Sequence, residues 1–155
     1  MKRALLATAV TLSLLSGCAS VPMASPETTA NMVDFKKPTE GFSGVYIFRK
    51  NSLAGAGLKK DIWIDKECIG ESAKGVFFYK EVEGDMKHTI STESEFSPND
   101  LTINTKAGNL YFVKQYIKLG VFVGGAGLEQ YNFADGKKEV SKLKMAKLGH
   151  CSSTR

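Results

Sequence analysis

Val45-Tyr46-Ile47-Phe48, between Gly44 and Arg49, sets four consecutive apolar side chains on a β-favouring stretch. Successive residues of a strand point to opposite faces, so both faces of this segment are apolar. That pattern suits a strand in the middle of a packed sheet rather than one at an edge. Working outward, residues 52–58 (Ser-Leu-Ala-Gly-Ala-Gly-Leu) read as a small-residue loop. Asp61-Ile62-Trp63-Ile64-Asp65 and Cys68-Ile69-Gly70, joined through Asp65-Lys66-Glu67, then read as a hairpin. Residues 75–82 are the next strand, Gly84-Asp85 a turn and residues 86–92 its partner. Ser97-Pro98-Asn99-Asp100 is another turn. Residues 101–105, a break at Ala107-Gly108-Asn109 and residues 110–119 give a last long hairpin. The expectation is a mainly β protein, an antiparallel β-sandwich of about seven strands. Residues 121–128 are apolar and glycine-rich, and Val121-Phe122-Val123 reads as an eighth strand in preference to an exposed docking edge. Over residues 137–148, Val140, Leu143 and Leu148 recur at helical spacing and predict a short C-terminal helix. Its polar face carries Lys137, Lys138, Lys142, Lys144 and Lys147.

Ahead of the sandwich the chain changes character. Met1-Lys2-Arg3 is a short positive start and residues 4–15 are an uninterrupted run of Ala, Leu, Val, Thr and Ser. Such a run is too short to span a bilayer, for which about 20 residues are needed, but it suits a secretory signal peptide over residues 1–17. The run ends Leu15-Ser16-Gly17-Cys18, which resembles the bacterial lipobox. That resemblance implies cleavage before Cys18 and a thioether-linked diacylglycerol on it. Two or three acyl chains make a stable membrane anchor. Ala19, where enteric lipoproteins retained in the inner membrane carry Asp, implies the outer membrane, facing the periplasm. Residues 18–40, with Pro22, Pro26, Pro38 and several Ser and Thr, read as a flexible tether, and residues 41–155 as the folded domain with its C-terminal helix.

Composition narrows the functional classes. Of 155 residues 43% are hydrophobic and 24% charged, which is ordinary for one globular domain. The formal charge is +5. Without Lys2 and Arg3 the surplus is three and is mixed with acidic residues, far from the concentrated basic surface of nucleic-acid binders. Once Cys18 is acylated, Cys68 and Cys151 are the thiols left, and in the oxidising periplasm they are expected to form a disulfide.

Over about residues 41–140 the chain resembles a family of small bacterial lipoproteins known only as domain of unknown function 2846. The marks are Val45-Tyr46-Ile47-Phe48-Arg49, the glycine-rich loop after it, Ile62-Trp63-Ile64-Asp65 with Ile69-Gly70, His88-Thr89-Ile90, and Ala107-Gly108-Asn109-Leu110-Tyr111-Phe112-Val113. The chain departs from the family before His88, where Glu83 replaces a proline and the turn is longer. The resemblance implies a transthyretin-like or carboxypeptidase-regulatory-like sandwich and no agreed activity.

No catalytic constellation stands out. His88 and His150 are the histidines, and neither is spaced to face a nucleophile. His88 shares a strand face with Ile90 and Thr92, which predicts a half-buried, hydrogen-bonded ring. Cys68, His88, His150 and Cys151 lack zinc-site spacing. Glu81, Glu83, Asp85, Glu93, Glu95 and Asp100 lack the order of a calcium loop and read as a solvated hairpin tip. Gly55-Ala56-Gly57 and Gly124-Gly125-Ala126-Gly127 fall short of a dinucleotide fingerprint. The expectation is therefore a non-catalytic, lipid-anchored binding or structural module with no cofactor and no metal, its partner a protein or an envelope component. An inhibitor or immunity lipoprotein against a periplasmic toxin or hydrolase is the alternative, and an envelope-acting enzyme the third class.

Overall fold

Both faces of the Val45–Phe48 segment are covered in the computed structural model, which describes residues 20–94, 99–118 and 124–153. In chain order its elements begin with helix α1 (Pro26–Met32) and strands β1 (Phe42–Arg49), β2 (Lys60–Ile64), β3 (Glu67–Ser72) and β4 (Val76–Glu83). Strands β5 (Lys87–Thr92), β6 (Asn99–Asn104), β7 (Leu110–Lys118) and β8 (Gly125–Tyr131) follow, then helix α2 (Phe133–Val140) and the two-residue strand β9 (Lys144–Met145). One sheet has the order β8-β7-β1-β4-β9 and the other β3-β2-β5-β6.

The strands sort between the sheets by the polarity of their two faces. In β1, β4 and β7 both faces contribute apolar side chains to a packed layer. Val45, Ile47, Phe78 and Val113 point into the core between the sheets, where Ile62, Ile64, Ile90 and Ile103 meet them. Tyr46, Phe48, Phe77 and Phe112 point the other way, into a second apolar layer with Val140, Leu143 and Met145. That layer lies beneath α2 and the segment around α1, so the five-stranded sheet is buried on both sides. By contrast β5 alternates, with His88, Ile90 and Thr92 inward and Thr89 and Ser91 outward.

This sorting corrects the expected pairings. The mainly β, two-sheet fold holds, but nine strands are present among the described residues and the larger sheet is mixed. β1 runs parallel to β7, with Gly44 opposite Leu110, and β4 runs parallel to β9. Residues 75–82 and 86–92 are not a hairpin: β4 pairs with β1 and β5 with β2 and β6, in the opposite sheet. β6 and β7 are likewise split between sheets. The hairpin predicted at Asp65-Lys66 is present, with both residues in the left-handed region and Ile64 opposite Glu67. A bulge follows at Ile69, where Gly70 has a φ of 148° and an added Cβ would lie 2.8 Å from the Phe78 ring.

The C-terminal helix, Phe133–Val140, begins four residues before the expected 137–148 span and ends eight residues before its end. Asn132 is the N-cap, its side chain accepting from Asp135 N at 2.9 Å, so Asp135 and Gly136 lie inside the helix instead of opening it. Gly136 lets the helix approach the sheet, since a Cβ there would stand 2.2 Å from Phe112 Cγ. Leu143 and Leu148 fall beyond the helix; residues 144–146 run extended beside β4, and after a bend at Leu148-Gly149 the chain reaches β3. Ala146 N donates to Phe77 O at 2.9 Å, beside β4, and Gly149 N to Ile69 O at 2.9 Å, on β3.

The largest correction concerns residues 18–40. From Val21 onward they are not a flexible tether: Val21 is part of the inter-sheet core and Pro38 is buried. Ala24 N donates to Met145 O at 2.9 Å and Lys147 N to Pro22 O at 2.8 Å, with Met23 bridged to Ala146. The segment thereby covers the free edge of β9. Ser25 then caps α1 by accepting from Thr28 N at 3.1 Å, with Pro26 in the first turn and Glu27 beside it. Ser-Pro-Glu is a helix-start signal that a reading of prolines as linker composition passes over.

Candidate functional site

Cys18, the residue expected to carry lipid, and Val121-Phe122-Val123 lie outside the described residues. Cys68 and Cys151 are joined in a disulfide, with Cα atoms 6.1 Å apart. The bond pins the C-terminal tail after it has run along β3, where Glu71 N donates to His150 O at 2.8 Å. Beyond the bond the tail meets Asp61, a fully buried carboxylate on the outward face of β2. It accepts from Ser152 N at 2.9 Å, Ser152 Oγ at 2.9 Å, Ser153 N at 2.9 Å and Ser153 Oγ at 3.0 Å. Four donors satisfy a charge that would otherwise be costly to bury.

His88 is buried outright rather than half-buried, at 4% exposure. Its Nδ1 lies 2.6 Å from Asp65 Oδ2 and its Nε2 2.8 Å from the Glu83 carbonyl. Through these two contacts the ring ties the β2–β3 turn to the end of β4. Asp65 Oδ1 also accepts from Thr89 N at 2.8 Å. Thr105 Oγ1 donates to the same Glu83 carbonyl at 3.1 Å, so the contacts of the ring fasten strand ends.

Arg49, which carried no role in the sequence reading, is 3% exposed. Its guanidinium donates to Leu58 O at 2.8 Å, Ser72 O at 3.4 Å and the carbonyl of Gly55. Burial pulls its pKa below the ordinary arginine value. The small-residue loop 52–58 is thus wrapped around a buried cation, with its carbonyls committed to it. Glu81 is similarly held. Burial works against its charge, but hydrogen bonds from Thr39 and Tyr79 outweigh that and keep the carboxyl below the usual range.

The lysines expected on one helix face are dispersed. Lys137 lies 4.8 Å from the Phe35 ring centroid and 5.2 Å from that of Phe133. Lys142 and Lys50 flank Glu139 at 3.2 and 3.5 Å. Burial opposes the Glu139 charge, and the two lysines together lower its pKa in spite of it. Lys138 borders a polar depression of about 350 Å³ with Glu129 and Asp135. Lys144 and Lys147 are not on the helix at all. Lys144 borders an apolar depression of about 400 Å³ formed by Met23, Ala24, Pro26, Thr29 and Ala30. That depression lies where the N-terminal segment joins the body. Its signal in the sequence was the Ser25-Pro26 helix start, which brings residues 23–30 onto the fold.

Among the described residues no group of three or more His, Cys, Asp and Glu side chains is arranged to hold a metal ion, and no helix is long and apolar enough to cross a membrane. Of the acidic residues singled out in the sequence, Glu95 lies outside the described residues, Glu93 accepts from Asp61 N at 3.1 Å, and Asp85 from Ala107 N at 3.4 Å.

This two-sheet, helix-covered fold coincides with a family defined by sequence. The chain belongs to the family described as protein of unknown function (DUF2846), whose model matches residues 39–126, more than half of its length. It is also similar to an uncharacterized protein of Haemophilus influenzae (strain ATCC 51907 / DSM 11121 / KW20 / Rd). The two are 56% identical over 133 residues, covering 86% of this chain and 78% of the relative. No solved structure matches the chain.

Proposed function

We propose that this chain is an outer-membrane lipoprotein whose sandwich works in the periplasm as a non-catalytic binding or structural module. The observation that carries the reading is Leu15-Ser16-Gly17-Cys18 at the end of an apolar leader, a few residues ahead of a folded body. The Cys68–Cys151 disulfide suits the oxidising compartment to which such a leader directs a chain. The polar groups that catalysis would draw on, His88, Arg49 and Glu81, are engaged in fastening loops and strand ends. Recognition then falls to the surface, with a protein or envelope component as partner.

Replacing Cys18 tests the anchor. With Cys18→Ser the protein is expected to move from the detergent phase to the soluble fraction, or to remain unprocessed. Unchanged partition together with an unchanged mature mass overturns the reading. Turnover of an envelope substrate by the purified protein overturns its non-catalytic part.

A further inference from the structure

We propose that the surface formed by Met23, the start of α1 and Lys144 is seated on the anionic lipid surface of the membrane that holds the anchor. The proposal rests on Cys18 carrying the lipid, as above. Its basis is chain length. Val21 is fixed in the core, and two residues, Ala19 and Ser20, separate it from Cys18. Even fully extended, the three Cα–Cα steps from Cys18 to Val21 span only about 10 Å. A domain on a tether of twenty residues would explore all orientations above the bilayer, whereas one held this closely presents the surface around its attachment point.

That surface has the chemistry of a membrane contact. Its depression is walled by Met23, Ala24, Pro26 and Ala30, with Lys144 at its border. Met23 is 37% exposed and Leu148, further along the same edge, is 44% exposed. Lys147 is exposed as well and is joined to Pro22 through its backbone. Exposed apolar side chains among lysines insert at the headgroup boundary, and each lysine close to an anionic surface adds to the attraction. The one acidic residue of α1 is Glu27. The start of the described chain, the apolar wall and the positive charge coincide on one edge of the sandwich.

Methyl groups report the seat directly. Lipidated full-length mature protein, labelled at Met and Ala methyls, is placed in nanodiscs of phosphatidylethanolamine and phosphatidylglycerol containing a gadolinium-chelated lipid. Met23 and Ala30 lie on the proposed surface. Met86 follows the far end of β4, and Ala126 is on β8 at the opposite edge of the sheet. Signals of Met23 and Ala30 are expected to broaden several-fold more than those of Met86 and Ala126. Inserting a twenty-residue Gly/Ser spacer between Ser20 and Val21 is expected to reduce that difference. Lys144→Glu with Lys147→Glu, both exposed positions, is expected to reduce it too. Equal broadening of the four methyls in protein whose mass includes the lipid overturns the seat while leaving the anchor intact. A mature mass without lipid overturns the anchor, and the seat with it. An undiminished difference in the double lysine variant overturns the anionic character of the surface.

Discussion

On the outward face of the five-stranded sheet, Tyr46 and Phe112 stack with centroids 5.0 Å apart, and Phe35 leans on both at 5.4 and 5.9 Å. The outward face of the four-stranded sheet carries Thr89, Ser91 and Asp100, which border a depression of about 370 Å³ together with the Asp65–Lys66 turn. The first face is closed by two helices, the second only by a tail that a disulfide and Asp61 hold in place. The contrast shows how one chain sets its layers: an aromatic outer face must be covered, and helices cover it. A hydroxyl-rich outer face is stable in water, so its covering is local and depends on specific bonds. The outward face of the second sheet is therefore more open than the aromatic layer.

The widest gap between the faces is expected from a matched pair of truncations. Phe112→Ala opens a cavity beneath α2 and should lower stability by about 4 kcal/mol. Thr89→Ala on the other sheet should cost under about 1 kcal/mol. Urea denaturation measures both, and similar losses would break the distinction between a covered and an open face.

A smaller effect is expected from the tail. Cys68→Ser combined with Cys151→Ser should cost about 3 kcal/mol. It should also speed amide exchange at Ser152 and Ser153 while leaving α2 protected. Wild-type protein denatured without reductant should show no alkylatable thiol at either position. If exchange rose equally in α2, the tail would be part of the aromatic layer's cooperative unit and not a separate covering.

The smallest effect separates the faces by pH. Burial pushes the Tyr46 phenol up to about 12, and burial together with Glu81 pushes Tyr79 up as well. An unfolded tyrosine ionises near 10. The folded state is thus fully favoured by these phenols below about pH 10 and loses that contribution as pH rises through about 12, because the unfolded chain releases its protons first. Denaturation across that window should show falling stability, with a shallower fall in Tyr46→Phe. An equal slope in the variant would mean that Tyr46 takes no part.

Much of this was legible in local pattern. Val45–Phe48 announced a strand covered on both faces, Asp65-Lys66 announced a tight turn, and the count of cysteines paired Cys68 with Cys151. The roles of Arg49 and of Met23 were not legible, because each depends on backbone carbonyls or neighbours brought together only by the fold. Arg49 binds carbonyls 6, 9 and 23 residues away, and Met23 meets Ala146 across nearly the whole chain.

The division has a physical cause. Side-chain alternation and turn chemistry act over a few residues, so the sequence by itself determined a mainly β domain, its strongest strands and the pairing of Cys68 with Cys151. Which strands share a sheet depends on distant faces finding cover. Tertiary packing therefore decided that β4 and β5 part company, that β1 lies parallel to β7, and that residues 144–146 run beside β4 instead of continuing a helix. It also turned a proline-containing stretch into a fixed edge, because Val21 gains more from the core than free chain would gain from water.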